Sequence, residues 1–118
     1  MQNTRAERVA QMMQRELGTM IQTELKDPRI GFASITRVEV SRDLSVAKVF
    51  VSVLGSAQNA HETMEGLTHA VGFLRGEVGR RLKLRHAPEL DFRLDESIEK
   101  SMVIQRLMHD LHGPDEHE

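Results

Sequence analysis

Cysteine is absent from the 118 residues, which excludes disulfides, thiolate metal sites and cysteine nucleophiles. Tryptophan and tyrosine are absent too, and only four phenylalanines remain, at positions 32, 50, 73 and 92. These are mostly expected in or near the core, which makes stacking on exposed aromatics a weak prospect. No apolar run approaches the ~20 residues of a membrane span. The segment Met1-Gln2-Asn3-Thr4-Arg5 lacks the apolar stretch of a secretory signal. The expectation is a soluble cytoplasmic domain with no membrane partner. A chain of this length typically buries roughly two-thirds of its unfolded surface, enough for one core without staples.

Net charge is also small, −2 from 16 basic and 18 acidic residues, but the total hides an asymmetry. Residues 1–74 balance at zero, while residues 75–86 set Arg75, Arg80, Arg81, Lys83 and Arg85 against Glu77 alone. Residues 87–118 then carry a net of −6. A compact basic block therefore precedes an acidic last third. Such a block can neutralise phosphates, with affinity that falls as salt rises; the plainer reading is a solvated helix face. Arg5, Arg8, Lys26, Arg29, Arg37, Arg42 and Lys48 could extend the surface, each also explicable as ordinary solvent charge. Asp91, Asp95, Glu96 and Glu99 either solubilise an edge strand and cap the last helix, or repel RNA from that side.

Periodicity supplies the elements. Thr4 and Glu7 form a capping-box pair ahead of a helix from about Thr4 to Leu25. Its apolar stripe reads Val9, Met12, Met13, Leu17, Met20, Ile21 and Leu25, and Pro28 is expected to end it. Strands over Ala33–Ser41 and Val46–Leu54 follow, joined as a hairpin through Ser41-Arg42-Asp43-Leu44-Ser45. The alternation slips between Ile35 and Val38, which predicts a bulge near Thr36-Arg37. Asn59 with Glu62 can cap a second helical stretch running to about Lys83, striped by Met64, Leu67, Val71, Leu74, Val78 and Leu82. Gly66, Gly72, Gly76 and Gly79 fall inside it, each at a cost of about 1 kcal/mol relative to Ala, so two helices meeting at a bend are expected. A strand over Glu89–Asp95 and a last helix over Ser97–Leu111 complete the order. The helical crossover between the second and third strands favours parallel pairing. The domain is expected to span residues 4–111, with 1–3 and 112–118 as flexible termini.

The string α-β-β-α-kink-α-β is the order of a type II KH domain, an α+β fold with a three-stranded sheet packed on helices, here with an added C-terminal helix. Local motifs sharpen the match. Lys26-Asp27-Pro28-Arg29-Ile30 follows the first helix. Then come Val38-Glu39-Val40-Ser41-Arg42-Asp43-Leu44, Ala47-Lys48-Val49-Phe50-Val51-Ser52-Val53-Leu54-Gly55, and Pro88-Glu89-Leu90-Asp91-Phe92 before Asp95-Glu96-Ser97. In this order and spacing, over about residues 5–111, they resemble the ribosome-binding factor A family. The resemblance implies a non-enzymatic factor, needing no cofactor or metal, that binds the free 30S small subunit. It further implies contact with 16S rRNA near the 5′-terminal helix, late maturation and 5′-end processing of that RNA, and a role in cold adaptation. Assembly GTPases are candidate further partners, and a monomer is expected. Where ordinary KH domains place a G-x-x-G loop, this family carries an Ala-x-Gly kink, matched by Ala70-Val71-Gly72.

Gly76-Glu77-Val78-Gly79 is literally a G-x-x-G string. Glu77 would put a negative charge where a phosphate must approach, and Val78 lies on the apolar stripe, so close-packed helical glycine is the plainer reading. The candidate RNA-contacting residues are Arg75, Arg80, Arg81, Lys83 and Arg85, extended by Arg5, Arg8, Lys26, Arg29 and Lys48. Two other classes stand beside this one. A metal-dependent hydrolase would have to use His61 and His69, or His109 and His112, and neither pair makes His-Glu-x-x-His; it needs one stoichiometric bound metal. A protein-only adaptor predicts binding that survives removal of RNA and depends little on salt.

Overall fold

The computed structural model describes residues 4–96, so the expected last helix, Ser97–Leu111, and the expected flexible termini lie outside the described residues. Helix α1 spans Arg5–Thr23. The Thr4 hydroxyl accepts the Glu7 N–H at 3.1 Å and the Glu7 carboxylate accepts the Thr4 N–H at 2.8 Å, completing the expected capping box. The buried stripe is Ala6, Val9, Ala10, Met13, Leu17, Met20 and Ile21. Met12 is 37% exposed, because it stands about 100° around the helix from buried Met13. The helix also stops well short of Pro28. Glu24 and Leu25 both donate to the Met20 carbonyl, closing the last turn. Asp27 then folds a tight loop by accepting from the Arg29 guanidinium and backbone N–H. The guanidinium, more than the backbone, holds the Asp27 carboxyl at about 2.

Strands β1 (Ala33–Val40) and β2 (Val46–Val53) pair antiparallel, and their register shifts between Ile35 and Arg37 as the broken alternation predicts. Gln14 of α1 donates to the Ile35 and Thr36 carbonyls at that bulge. In the connecting turn, the Ser41 hydroxyl and the Asp43 carboxylate collect the N–H groups of Ser45 and Val46, and Leu44 sits at φ 64°. Strand β3 (Glu89–Leu94) pairs parallel with β2, giving the order β1-β2-β3. Ala47, Val49 and Val51 of the central strand are fully buried together with Met13, Leu17, Met20, Leu67, Leu74 and Val78. The helices thus cover one sheet face, while Lys48 and Phe50 point to the other.

Between β2 and β3 run α2 (Ala57–His69) and α3 (Val71–Arg81). Ser56, one turn earlier than expected, is the cap of α2. Its hydroxyl accepts the Asn59 N–H, and the Asn59 side chain accepts the Ser56 N–H, so a Ser–Asn pair does what Asn59 and Glu62 were expected to do. The two helices meet at Ala70, at φ −87° and ψ 2°. Its N–H reaches the Gly66 carbonyl and its own carbonyl accepts from Leu74, so the break costs few backbone bonds. The bend therefore opens the Ala70-Val71-Gly72 kink. At the far end of α3, Lys83 donates to the Arg80 carbonyl and Leu84 to the Gly79 carbonyl, a Schellman closure with Lys83 at φ 55°. Lys83 thus lies beyond the helix, not on its last turn. Glycine is the usual occupant of that position, and its absence concealed the helix end. The result is an α+β, KH-like domain with a three-stranded sheet packed on helices.

Candidate nucleic-acid interface

Helix α3 buries Leu74 and Val78 and turns Gly72, Phe73, Gly76 and Arg80 outward. A Cβ added at Gly72 or Gly76 meets nothing within 4 Å, so no packing among the described residues calls for glycine at either. Gly79 differs, since its Cβ would lie 3.0 Å from that of Ala87. The close-packed reading of the G-x-x-G string therefore holds for Gly79 and fails for Gly76. The string itself is helix interior, not loop. Glu77 within it pairs with Arg80 at 2.7 Å and Arg81 at 3.0 Å, and Arg80 foremost holds its carboxyl below the usual carboxylate range.

The candidate cations do not form one surface. Arg81 reaches Glu24 at 2.8 Å, Glu77 at 3.0 Å and Glu16 at 3.5 Å, so it ties α3 to α1. Arg29 is held by Asp27 at 2.6 Å and lines a shallow depression against α2 with His61, Glu65 and His69. Lys26 is exposed in the same connection, Arg8 is exposed on α1, and Arg42 is exposed in the β1–β2 turn. Lys48 stands on the open sheet face between its register partners Glu39 and Asp91.

Arg5, Arg75 and Arg85 do converge. They line a cleft of about 640 Å³ between the start of α1, the β1–β2 turn and the segment leading into β3. His86, which the sequence reading did not single out, lies with them. Arg75 donates through Nε to the Ala87 and Pro88 carbonyls at 3.2 and 3.1 Å, and through Nη2 to Ala87 at 3.0 Å. Carbonyls fix a guanidinium without cancelling its charge. Arg5, Lys83 and Arg85 are exposed, and none forms an ion pair with another described residue.

The aromatics also depart from expectation. Phe32 is 81% and Phe73 49% exposed, the first just before β1 and the second on the outward face of α3. Phe50 lies on the open sheet face with the Arg37 guanidinium 3.8 Å above its ring. Phe92, by contrast, packs against the core. Among the described residues no three His, Asp or Glu side chains converge as metal ligands; His61 instead lies 3.3 Å from Glu65. His109 and His112 lie outside the described residues.

Residues 5–108 match the profile of the family described as Ribosome-binding factor A. The chain belongs to the ribosome-binding factor A family. It is 49% identical over 109 residues to ribosome-binding factor A of Desulforamulus reducens, covering 92% of this chain and 91% of that protein. Against ribosome-binding factor A of Brevibacillus brevis the identity is 47% over 111 residues, covering 94% and 92%. The crystal structure of ribosome-binding factor A from Thermus thermophilus superposes with a TM-score of 0.69 at 26% identity, covering 78% of this chain and 97% of that one. A homology-built Thermus thermophilus ribosome-binding factor A, fitted into a cryo-EM map of a 30S complex, gives 0.65 at 28% identity, covering 79% and 97%. The KH-like arrangement found here is thus the one shared by ribosome-binding factor A structures. Among the described residues no helix is long and apolar enough to cross a membrane.

Proposed function

We propose that the chain is a non-catalytic assembly factor that binds the free 30S subunit and contacts 16S rRNA near its 5′-terminal helix. There it assists late maturation and 5′-end processing, including in the cold. It acts in the cytoplasm as a monomer, on a particle that assembly GTPases also visit. The observation that carries this reading is the outward face of α3, where Gly72 and Gly76 leave bare backbone between Phe73 and Arg80. Exposed glycine inside a helix is unfavourable and here has no packing reason among the described residues, whereas a flat helix surface lets a nucleic-acid backbone come close. The exposed cations Arg80, Lys83, Arg85 and Arg5 then serve as phosphate contacts. Arg8, Lys26, Arg29 and Lys48 add at most long-range attraction, and Arg81 is committed to carboxylates. The Thermus relative fitted into a 30S complex supports the choice of subunit.

The test is co-sedimentation of the purified chain with small subunits, large subunits and whole ribosomes over a salt series. Migration with small subunits, weakening steeply as salt rises, is expected. Migration with large subunits alone overturns the reading. Salt-independent binding that survives removal of RNA would instead assign a protein-only adaptor.

A further inference from the structure

The cleft that gathers Arg5, Arg75 and Arg85 is lined by two chemically distinct sets of side chains. One set is charged or titratable, those three guanidiniums and His86 together with the carboxylates of Asp43 and Glu89. The Asp43 carboxylate is turned into its own turn, where it accepts from the Ser45 hydroxyl, the Ser45 N–H and the Ser41 hydroxyl. The other set is apolar, Leu44, Val46, Leu84 and Ala87, each only partly buried. Arg75 is already held by two carbonyls, so its charge is in place before any ligand arrives. Leu44, which lines the cleft, has left-handed backbone at φ 64°.

We infer that this cleft holds one unstacked nucleotide, its phosphate on the guanidiniums and its sugar and base against Leu44 and Leu84. The inference deepens the RNA-binding reading above and rests on it. A planar guanidinium can engage two phosphate oxygens at once, which a solvated surface lysine does not do. Single-stranded segments are the part of RNA whose bases can be splayed onto a protein surface. The same chemistry would also admit a free nucleotide, and the two sources separate by experiment.

The full chain, isotopically labelled for amide NMR, is titrated with inorganic phosphate, with adenosine monophosphate and with a short single-stranded RNA. Adenosine monophosphate is expected to move the amides of Ser45, Leu84, Arg85 and His86, and to bind about fivefold or more tighter than inorganic phosphate. RNA moving the same amides assigns the site to a strand; adenosine monophosphate moving them while RNA does not assigns it to a free nucleotide. The double variant Arg5→Gln, Arg85→Gln breaks no described ion pair and should weaken adenosine monophosphate about fivefold or more. Leu44→Gly relieves the left-handed backbone while deleting the apolar wall, so it should weaken the nucleotide and leave inorganic phosphate unchanged. Shifts confined to α3, inorganic phosphate as tight as the nucleotide, or unaltered affinity in the double variant each overturn the inference. Small-subunit co-sedimentation runs alongside. A parent chain that sediments with subunits but shows no ligand in the cleft sinks this inference alone, and one that fails to sediment sinks the functional reading.

Discussion

Helices α2 and α3 flank the same break at Ala70, and Gly66 of the first serves an opposite purpose to Gly72 and Gly76 of the second. In α2, a Cβ at Gly66 would lie 2.7 Å from Ile30 Cγ1, and nearby Thr63, fully buried, accepts the Gly31 N–H and donates to the Arg29 carbonyl. That glycine exists so that the 29–31 loop can lie against the helix. In α3, Gly72 and Gly76 have nothing against them among the described residues. The arginines divide in the same way: Arg81 is neutralised by three carboxylates, whereas Arg75 is held by carbonyls that leave its charge intact. Residue type alone cannot separate the structural use from the outward-facing one. What lies within a few ångströms of each does.

The comparison breaks most visibly at Gly66. Gly66→Val drives a branched side chain into Ile30 and should cost about 2–3 kcal/mol in urea unfolding. Thr63→Val leaves the Gly31 N–H without its partner and should cost about 1–3 kcal/mol. Gly72→Ala and Gly76→Ala carry the opposite sign, each stabilising by about 0.5–1 kcal/mol. Gly76→Leu should fold at least as well as the parent yet bind small subunits about tenfold or more weakly, through lost close approach. Unchanged binding in that variant would show that the outward face of α3 touches nothing.

The arginine half sharpens with pH. Arg81→Gln leaves Glu16, Glu24 and Glu77 facing one another and should lower the melting temperature, while Arg85→Gln leaves it unmoved. Asp27 sits at about 2 against an ordinary 3.8 because the Arg29 guanidinium bonds it. A depressed folded-state value means stability that is present above the ordinary value and lost as pH falls through the folded one. The parent should therefore lose stability between about pH 4 and 2, with Asp27→Asn showing a shallower fall over that window. Parallel melting curves for the two proteins would mean that the Asp27–Arg29 bond does not persist in solution.

Most of the fold is legible in sequence because it rests on local patterns. The capping box of Thr4 and Glu7, the bulge at Thr36 and the parallel third strand each follow from spacing or connection length. The errors fall where two residues could serve or where the usual marker is missing. Ser56 and Asn59 are both good caps, and only the strand end decides between them. Lys83 ends α3 in a glycine position, so the helix was expected to run on to about Lys83 instead of ending at Arg81. The candidate interface is less legible. Charge counts found Arg75, Arg80 and Arg85, but a count cannot tell that Arg81 is neutralised by residues 57 and 65 positions earlier. Nor could it bring Arg5 beside Arg85, which is a consequence of tertiary packing. The outward Phe73 stands next to buried Leu74, a helical neighbour about 100° away, and helical phase alone could have exposed it.

The smallest expected effect isolates Lys83, where stability and recognition pull in opposite directions. A lysine in left-handed backbone is strained relative to glycine, so Lys83→Gly should stabilise the fold by up to about 1 kcal/mol. The Schellman bonds from residue 83 to the Arg80 carbonyl and from Leu84 to the Gly79 carbonyl are backbone bonds and survive the change. If Lys83 contacts a phosphate, the same variant should lower the salt slope of RNA binding by about one, without preference for sequence. Lys83→Arg keeps the charge and the strain, so it should match the parent in both measurements. A gain in stability with an unchanged slope would remove Lys83 from the interface and leave Arg80 and the cleft arginines to carry the phosphate contacts.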